Sequence, residues 1–135
     1  SEITSDVLGD ADVIVINQIN PGLSPCEQRV LRSFVAQGGG LIVFANDAPT
    51  SLSPVVDCGP ATACGPGTAS FVATAHPTTD GPFGAVSGAL MYDYHCRYSS
   101  LGPNGVAVLN SSGGPSGGVF TVDLGRAVGI GDQEW

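Results

Sequence analysis

The alternation of apolar and polar positions is regular in the first third of the chain and broken afterwards. Val13-Ile14-Val15-Ile16-Asn17 is an unbroken apolar run closed by an amide, the pattern of a strand buried on both faces. A turn-forming stretch, Gln18-Ile19-Asn20-Pro21-Gly22-Leu23, leads to Ser24-Pro25-Cys26-Glu27, which reads as a helix start. Ser24 is placed to cap the helix, Pro25 suits its first position, and Glu27 closes a capping box. Val30, Leu31, Phe34 and Val35 recur at helical spacing and form one apolar stripe. Gly38-Gly39-Gly40 stops the helix, glycine supplying the left-handed residue beyond its end. Leu41-Ile42-Val43-Phe44-Ala45 predicts a second buried strand. Strand, helix and strand in this order predict a βαβ unit with parallel strands and a right-handed crossover.

The remainder is less periodic. Residues 46–70 show neither period and read as a long irregular loop. Phe71-Val72-Ala73-Thr74, Leu90-Met91-Tyr92-Asp93-Tyr94 and Val106-Ala107-Val108-Leu109 read as short strands, with residues 111–118 as a turn. Val119–Asp123 and Arg126–Ile130 flank Leu124-Gly125 as a C-terminal β-hairpin. No linker interrupts the chain, so residues 1–135 are expected to form a single domain.

Several of these pieces carry a resemblance. Ala11-Asp12-Val13-Ile14-Val15-Ile16 comes first, then Ser24-Pro25 with Leu31-Arg32-Ser33-Phe34-Val35, then Gly38-Gly39-Gly40-Leu41-Ile42-Val43-Phe44. His76-Pro77-Thr78-Thr79, Gly81-Pro82-Phe83 and Gly125-Arg126-Ala127-Val128-Gly129-Ile130-Gly131-Asp132 follow. In order and spacing the chain resembles the class I glutamine amidotransferase-like superfamily, nearest its ThuA-like and non-catalytic secreted relatives. The resemblance implies an α/β, flavodoxin-like three-layer fold with a mostly parallel sheet. Such domains begin with a further strand and helix, so the fold is expected to be incomplete at its N-terminal side. A sheet missing a flanking layer exposes apolar surface and an open edge, and self-association or a partner chain is expected there.

Composition narrows the partners. Twelve acidic residues face four arginines and no lysine, a net charge of −8, which disfavours nucleic acid and anionic lipid. No apolar run approaches the roughly 20 residues needed to cross a bilayer, so membrane insertion is not expected. Four cysteines allow three pairings. Cys58 and Cys64 flank a turn-rich stretch in which Cys-Gly-Pro occurs twice, and a disulfide is expected between them, with Cys26 and Cys96 as an open second pair. Zinc is the weaker reading, because the spacing is not Cys-x-x-Cys and only His76 and His95 could complete a site. A disulfide implies an extracellular, periplasmic or cell-surface location.

The chemistry is sparse. The resemblance puts the amidotransferase nucleophile at Asn46, and an amide cannot serve, so that activity is expected to be absent. No nucleophile elbow is expected elsewhere. Cys26, at the second position of the first helix, is the best reactive thiol, with a second disulfide as its competing state. His95-Cys96 are neighbours on a strand and point to opposite faces, which rules against a dyad. Tyr92, Tyr94 and Tyr98 could stack on a sugar, though 92 and 94 more simply mark one strand face. Asn110-Ser111-Ser112 is a glycosylation sequon.

Ligands of open α/β folds bind at the carboxyl ends of the strands. There the chain offers Asn17, Asn46, Asp47 and Asp132, an oxygen-rich rim suited to a hydrated sugar or a hard cation such as Ca²⁺. A solvated rim whose side chains cap turns is the plainer account, and no resident cofactor is expected. The expected role is a non-catalytic binding or structural domain of an exported or cell-surface assembly. The alternative is a hydrolase or carbohydrate-processing enzyme in which His76 works with Asp47 or Asp132.

Overall fold

The computed structural model describes residues 3–17, 22–45, 48–72, 76–77, 80–82, 84–85 and 88–131. Among them the chain runs α1 (Ser5–Leu8), β1 (Val13–Asn17), α2 (Pro25–Ala36), β2 (Gly40–Phe44), α3 (Ala48–Val56) and β3 (Ala61–Phe71). It continues through β4 (Asp80–Gly81), β5 (Gly84–Ala85), β6 (Ala89–Tyr98), β7 (Gly105–Ser111), β8 (Gly114–Val122) and β9 (Gly125–Ile130).

Local chemistry sets α2 as expected. The Glu27 N–H donates to Ser24 Oγ at 3.2 Å and the Ser24 N–H to Glu27 Oε2 at 2.8 Å, closing the capping box with Pro25 in the first turn. The helix ends at Gln37, and Gly38 follows at φ 111°, a conformation that disfavours side chains larger than hydrogen. Leu31 and Val35 are fully buried, while Val30 and Phe34 lie half-buried at the edge of the stripe.

Seven strands form one open sheet in the order β1-β2-β9-β8-β7-β3-β6, with β4 and β5 as a separate pair. Only β1–β2 and β2–β9 pair in parallel; β9–β8, β8–β7, β7–β3 and β3–β6 are antiparallel. The sheet is therefore mixed, which corrects the expectation of a mostly parallel one. Hairpin connections build its second half, and these need no crossover helix. The C-terminal hairpin β8–β9 is present, turning at Asp123 and Leu124.

Three stretches read as loop are regular structure. Residues 48–56 form α3 despite Pro49 and Pro54: Pro49 lies in the first turn, where its missing N–H costs nothing, and Pro54 in the last. Ala48, Leu52, Val55 and Val56 are buried and hold the helix against the sheet. Residues 61–71 form β3, whose register shifts between Thr62 and Gly65, where Ala63 takes φ 44°, and again before Gly67. Gly114–Gly118 is not a turn but the first half of β8. A methyl group at Gly118 would lie 2.7 Å from the Phe120 ring and 2.8 Å from Leu101, so only glycine fits beneath them.

The core lies on one side of the sheet. Leu41, Val43, Ala45, Ala127, Phe120 and Val122 face α2 and α3, and Ile14 and Ile16 extend this surface to β1. The carboxyl-terminal part of β6 folds back over the same side, and the Cys96 N–H donates to Gly131 O at 3.0 Å. Tyr98 lands on Phe120 with ring centroids 5.6 Å apart.

The disulfide joins Cys64 to Cys96, with Cα atoms 4.0 Å apart across β3–β6. This corrects both expected pairs, Cys58–Cys64 and Cys26–Cys96. The physical reason is the extended chain. Six residues leading into a strand span up to about 20 Å, whereas a bridge needs Cα atoms within about 7 Å. Cys58 is instead a buried thiol beneath α3, its Sγ 3.7 Å from Pro49 O, and Cys26 is an exposed thiol.

Candidate functional site

The carboxyl ends of the parallel trio β1, β2 and β9 define the expected rim. Asn17 is there, exposed at the end of β1. Asn46, Asp47 and Asp132, with Gln18, Asn20, Gln133 and Glu134, lie outside the described residues. The described part of the rim is stitched by backbone: Ala45 N–H donates to Ile130 O at 3.2 Å, and Gly131 N–H to Ser116 O at 2.9 Å. His76 is half-buried beside exposed Pro77, and its carboxylate partners of the alternative reading, Asp47 and Asp132, are both outside the described set. Among the described residues no group of His, Cys, Asp and Glu is arranged to hold a metal ion.

Around the rim lies a set of buried polar side chains. His95 is fully buried, packed beside Gly67, and Cys96 next to it is committed to the disulfide, so no Cys–His dyad exists. Tyr98 is 2% exposed and cannot join an exposed aromatic platform with Tyr94, which is 49% exposed. Burial pushes the Tyr98 hydroxyl well above its ordinary value, with Cys58 adding a smaller push. Burial likewise pushes the Cys58 thiol up to about 11, which removes it as a nucleophile at neutral pH.

Ser116 is a residue the sequence reading passed over. Gly114-Pro115-Ser116-Gly117-Gly118 has the Gly-x-Ser-x-Gly spacing of a nucleophile elbow. The structure gives it another role: Ser116 lies inside β8, 1% exposed, between strands rather than at a strand-to-helix turn. Its hydroxyl has no hydrogen-bond partner among the described residues. Such a buried serine is not presented to a substrate.

Cys26 opens onto a cleft of about 330 Å³ between α1 and α2, lined also by Leu8, Arg29, Val30 and Phe34. The four-residue α1, capped by Thr4, gave no periodic signal in the sequence. On the far side of α2, Arg32 makes a two-point contact with Asp57 at 3.0 and 2.7 Å and donates to the Pro54 and Val55 carbonyls, closing the end of α3. Asn110 of the sequon is exposed next to the β7–β8 turn.

A further surface feature lies on the sheet face turned away from α2 and α3. Register places Val15, Ile42, Val128, Val119 and Val106 in one row across five strands, β1-β2-β9-β8-β7. Within the row Ile42 and Val128 are half-buried and Val119 is 7% exposed, but the ends are open: Val15 is 59% and Val106 45% exposed. Val13, on the same face, is 55% exposed. The expectation that the first strand is buried on both faces is thus corrected; only Ile14 and Ile16 turn to the core. Among the described residues, no helix packs on the row.

These elements define an open, mixed α/β sheet with its helices on one face. Solved structures share that fold. The mmIFT52 N-terminal domain superposes with a TM-score of 0.70 at 15% identity, over 98% of this chain and 70% of that one. The cytoplasmic protein STM1381 from Salmonella typhimurium LT2 gives 0.66 at 18%, over 96% and 64%. A ThuA-like protein from Bacteroides uniformis gives 0.62 at 14%, over 96% and 62%. The chain therefore spans less than two thirds of the length of two of these three structures. No protein-family model matches the sequence, and no curated protein matches it.

Proposed function

We propose that this chain is a non-catalytic binding or structural domain of an exported or cell-surface assembly, related to the ThuA-like proteins. Its working surface is the sheet face opposite the helices. The observation that carries the reading is the apolar row ending in Val15 and Val106, with Val13 beside it, all exposed where a third layer would lie. Val13 and Val15 at one end of the row and Val106 at the other leave apolar surface that a partner on this face would cover. The Asn46 at the position of the amidotransferase nucleophile supports the non-catalytic part. The Cys64–Cys96 bridge supports an oxidising location. Two fold neighbours are named cytoplasmic proteins, and a shared fold carries no location.

The test is a turnover screen on the oxidised protein with glutamine, aryl glycosides and aryl esters, read beside His76→Ala and Asp47→Asn. The expected result is no turnover above buffer. Turnover abolished by either substitution would establish the hydrolase alternative instead.

A further inference from the structure

We infer that the cleft between α1 and α2 is a binding site for a small monocarboxylate with an apolar body, its carboxylate held by Arg29. The site is on the helix side of the sheet, away from the face proposed for association, and neither reading depends on the other.

Hydrogen bonds at both ends of α1 build the cleft. Glu27, at the third position of α2, accepts the Ile3 N–H at 3.0 Å and ties the chain ahead of α1 to the first turn of α2. Beyond α1, the Gly40 N–H donates to Asp12 O at 2.8 Å and fastens the other end to the start of β2. Thr4 caps α1 by accepting the Val7 N–H, and the Ala11 N–H returns to Leu8 O at 3.0 Å. A four-residue helix with no buried side chain is thereby held beside α2, and a space of about 330 Å³ remains between the two.

The walls select the ligand. Leu8, Val30 and Phe34 make one side apolar. This accounts for Val30 and Phe34 staying half-buried while Leu31 and Val35 are sealed in the core. Arg29 is the only charged residue in the wall among the described residues. Arg32 is paired with Asp57, whereas Arg29 has no ion-pair partner among the described residues. Glu27, the acid two residues before it, commits both carboxylate oxygens to the Ile3 and Ser24 N–H groups. An unmatched guanidinium beside an apolar wall complements a carboxylate on an apolar body, which it can hold by two parallel hydrogen bonds. The net charge of −8 does not reverse this preference, because no acid lines the cleft and physiological salt screens exposed charges beyond about 8 Å.

Volume sets the size. Ligand pockets run from about 300 to 1,000 Å³. This cleft is at the small end, which admits a small acid and excludes a two-chain lipid.

Hexanoate titrated into the oxidised chain at about 0.15 M salt, followed by amide chemical shifts, tests the site. Saturable shifts are expected at residues 5–9 and 26–37, with a Kd of about 1 mM. Hexanol, which has the tail without the charge, and acetate, which has the charge without the tail, are each expected to bind about tenfold more weakly. Arg29→Gln, a change at an exposed position, is expected to keep the fold and to weaken hexanoate by about the same factor. Cys26 lies in the same wall and gives a second readout: saturating hexanoate is expected to slow its labelling by iodoacetamide severalfold. Shifts that are absent up to about 20 mM or that fall elsewhere overturn the site. So does hexanol, or the Arg29→Gln variant, titrating like hexanoate with the wild type. Unchanged labelling of Cys26 at saturation overturns it as well.

Discussion

Replacing both Cys64 and Cys96 by alanine opens the β3–β6 ribbon and leaves no stray thiol behind. The bridge spans a sequence separation of 32. Loop-closure entropy in the unfolded chain makes such a cross-link worth about 3.7 kcal/mol at 25 °C. A domain of this size has about 5–15 kcal/mol of total stability, so the loss takes a quarter or more of it. With the usual unfolding entropy per residue, Tm falls by about 13 °C. The competing pair, Cys58–Cys64, would close a loop six residues long and contribute only about 2 kcal/mol. The two pairings also differ in how they respond to Cys58→Ala. In the structure that change removes a buried thiol, at about 1 kcal/mol, and leaves the bridge intact. Urea unfolding of the oxidised wild type, Cys64→Ala/Cys96→Ala and Cys58→Ala, followed by circular dichroism, separates these values, and non-reducing peptide mapping identifies the bridge. A double variant within about 1 kcal/mol of wild type refutes the reasoning. So does a Cys58→Ala variant as unstable as the double one.

Four further expectations concern ionisable groups. Burial raises Cys58 from 9.0 to about 11, so between those values the unfolded chain has released a proton that the folded chain keeps. Stability is then fully present below pH 9 and falls by up to about 2 kcal/mol as pH rises to 11; Cys58→Ala flattens this loss in pH-dependent urea unfolding. The same shift leaves Cys26 as the thiol that iodoacetamide labels in the native protein at pH 8, which mass spectrometry reads directly. Tyr98→Phe deletes a buried hydroxyl that has no hydrogen-bond partner among the described residues and is expected to leave stability unchanged or raise it by about 1 kcal/mol; a clear loss in thermal unfolding contradicts this. Hydrogen bonds from the Ser24 and Ile3 backbone N–H groups hold Glu27 below its ordinary 4.5. Its contribution is present above pH 4.5 and lost as pH falls through the lower folded value, so Glu27→Gln flattens the acid limb of the stability profile.

What could be read from the sequence is what is decided within a few residues. The helix α2 was legible because Ser24, Pro25 and Glu27 satisfy its first turn among themselves. The strands β1 and β2 were legible because unbroken apolar runs have few other ways to fold. The helix α3 was obscured by Pro49 and Pro54, although Ala48, Leu52, Val55 and Val56 carry a helical spacing. Glycine and proline similarly hid β3 and the first half of β8, where small residues serve close packing rather than turning. The disulfide was not legible, because Cys64 meets Cys96 through a strand pairing that no local pattern specifies. Of the candidate rim, Asn17 stands where expected at a strand end, and the remainder depends on residues outside the described set.

The same limit governs the surface on which the functional proposal stands. An apolar run such as Val13–Ile16 states only that both faces of a strand avoid water, and covering either face satisfies it. Which face is covered depends on where the connecting helices cross, and both α2 and α3 lie on the side of Ile14 and Ile16. The valines are thereby left on the opposite side, and register alone aligns Val15 with Ile42, Val128, Val119 and Val106. These positions come from five separate stretches of sequence, none of which marks the others. A composition of 42% hydrophobic residues was enough to expect a core; it could not distinguish apolar side chains that build that core from those that remain on the outside. The distinction matters for function because the interior valines and leucines explain only that the chain folds. Val13, Val15 and Val106 take no part in that core, and their face is the one proposed for association.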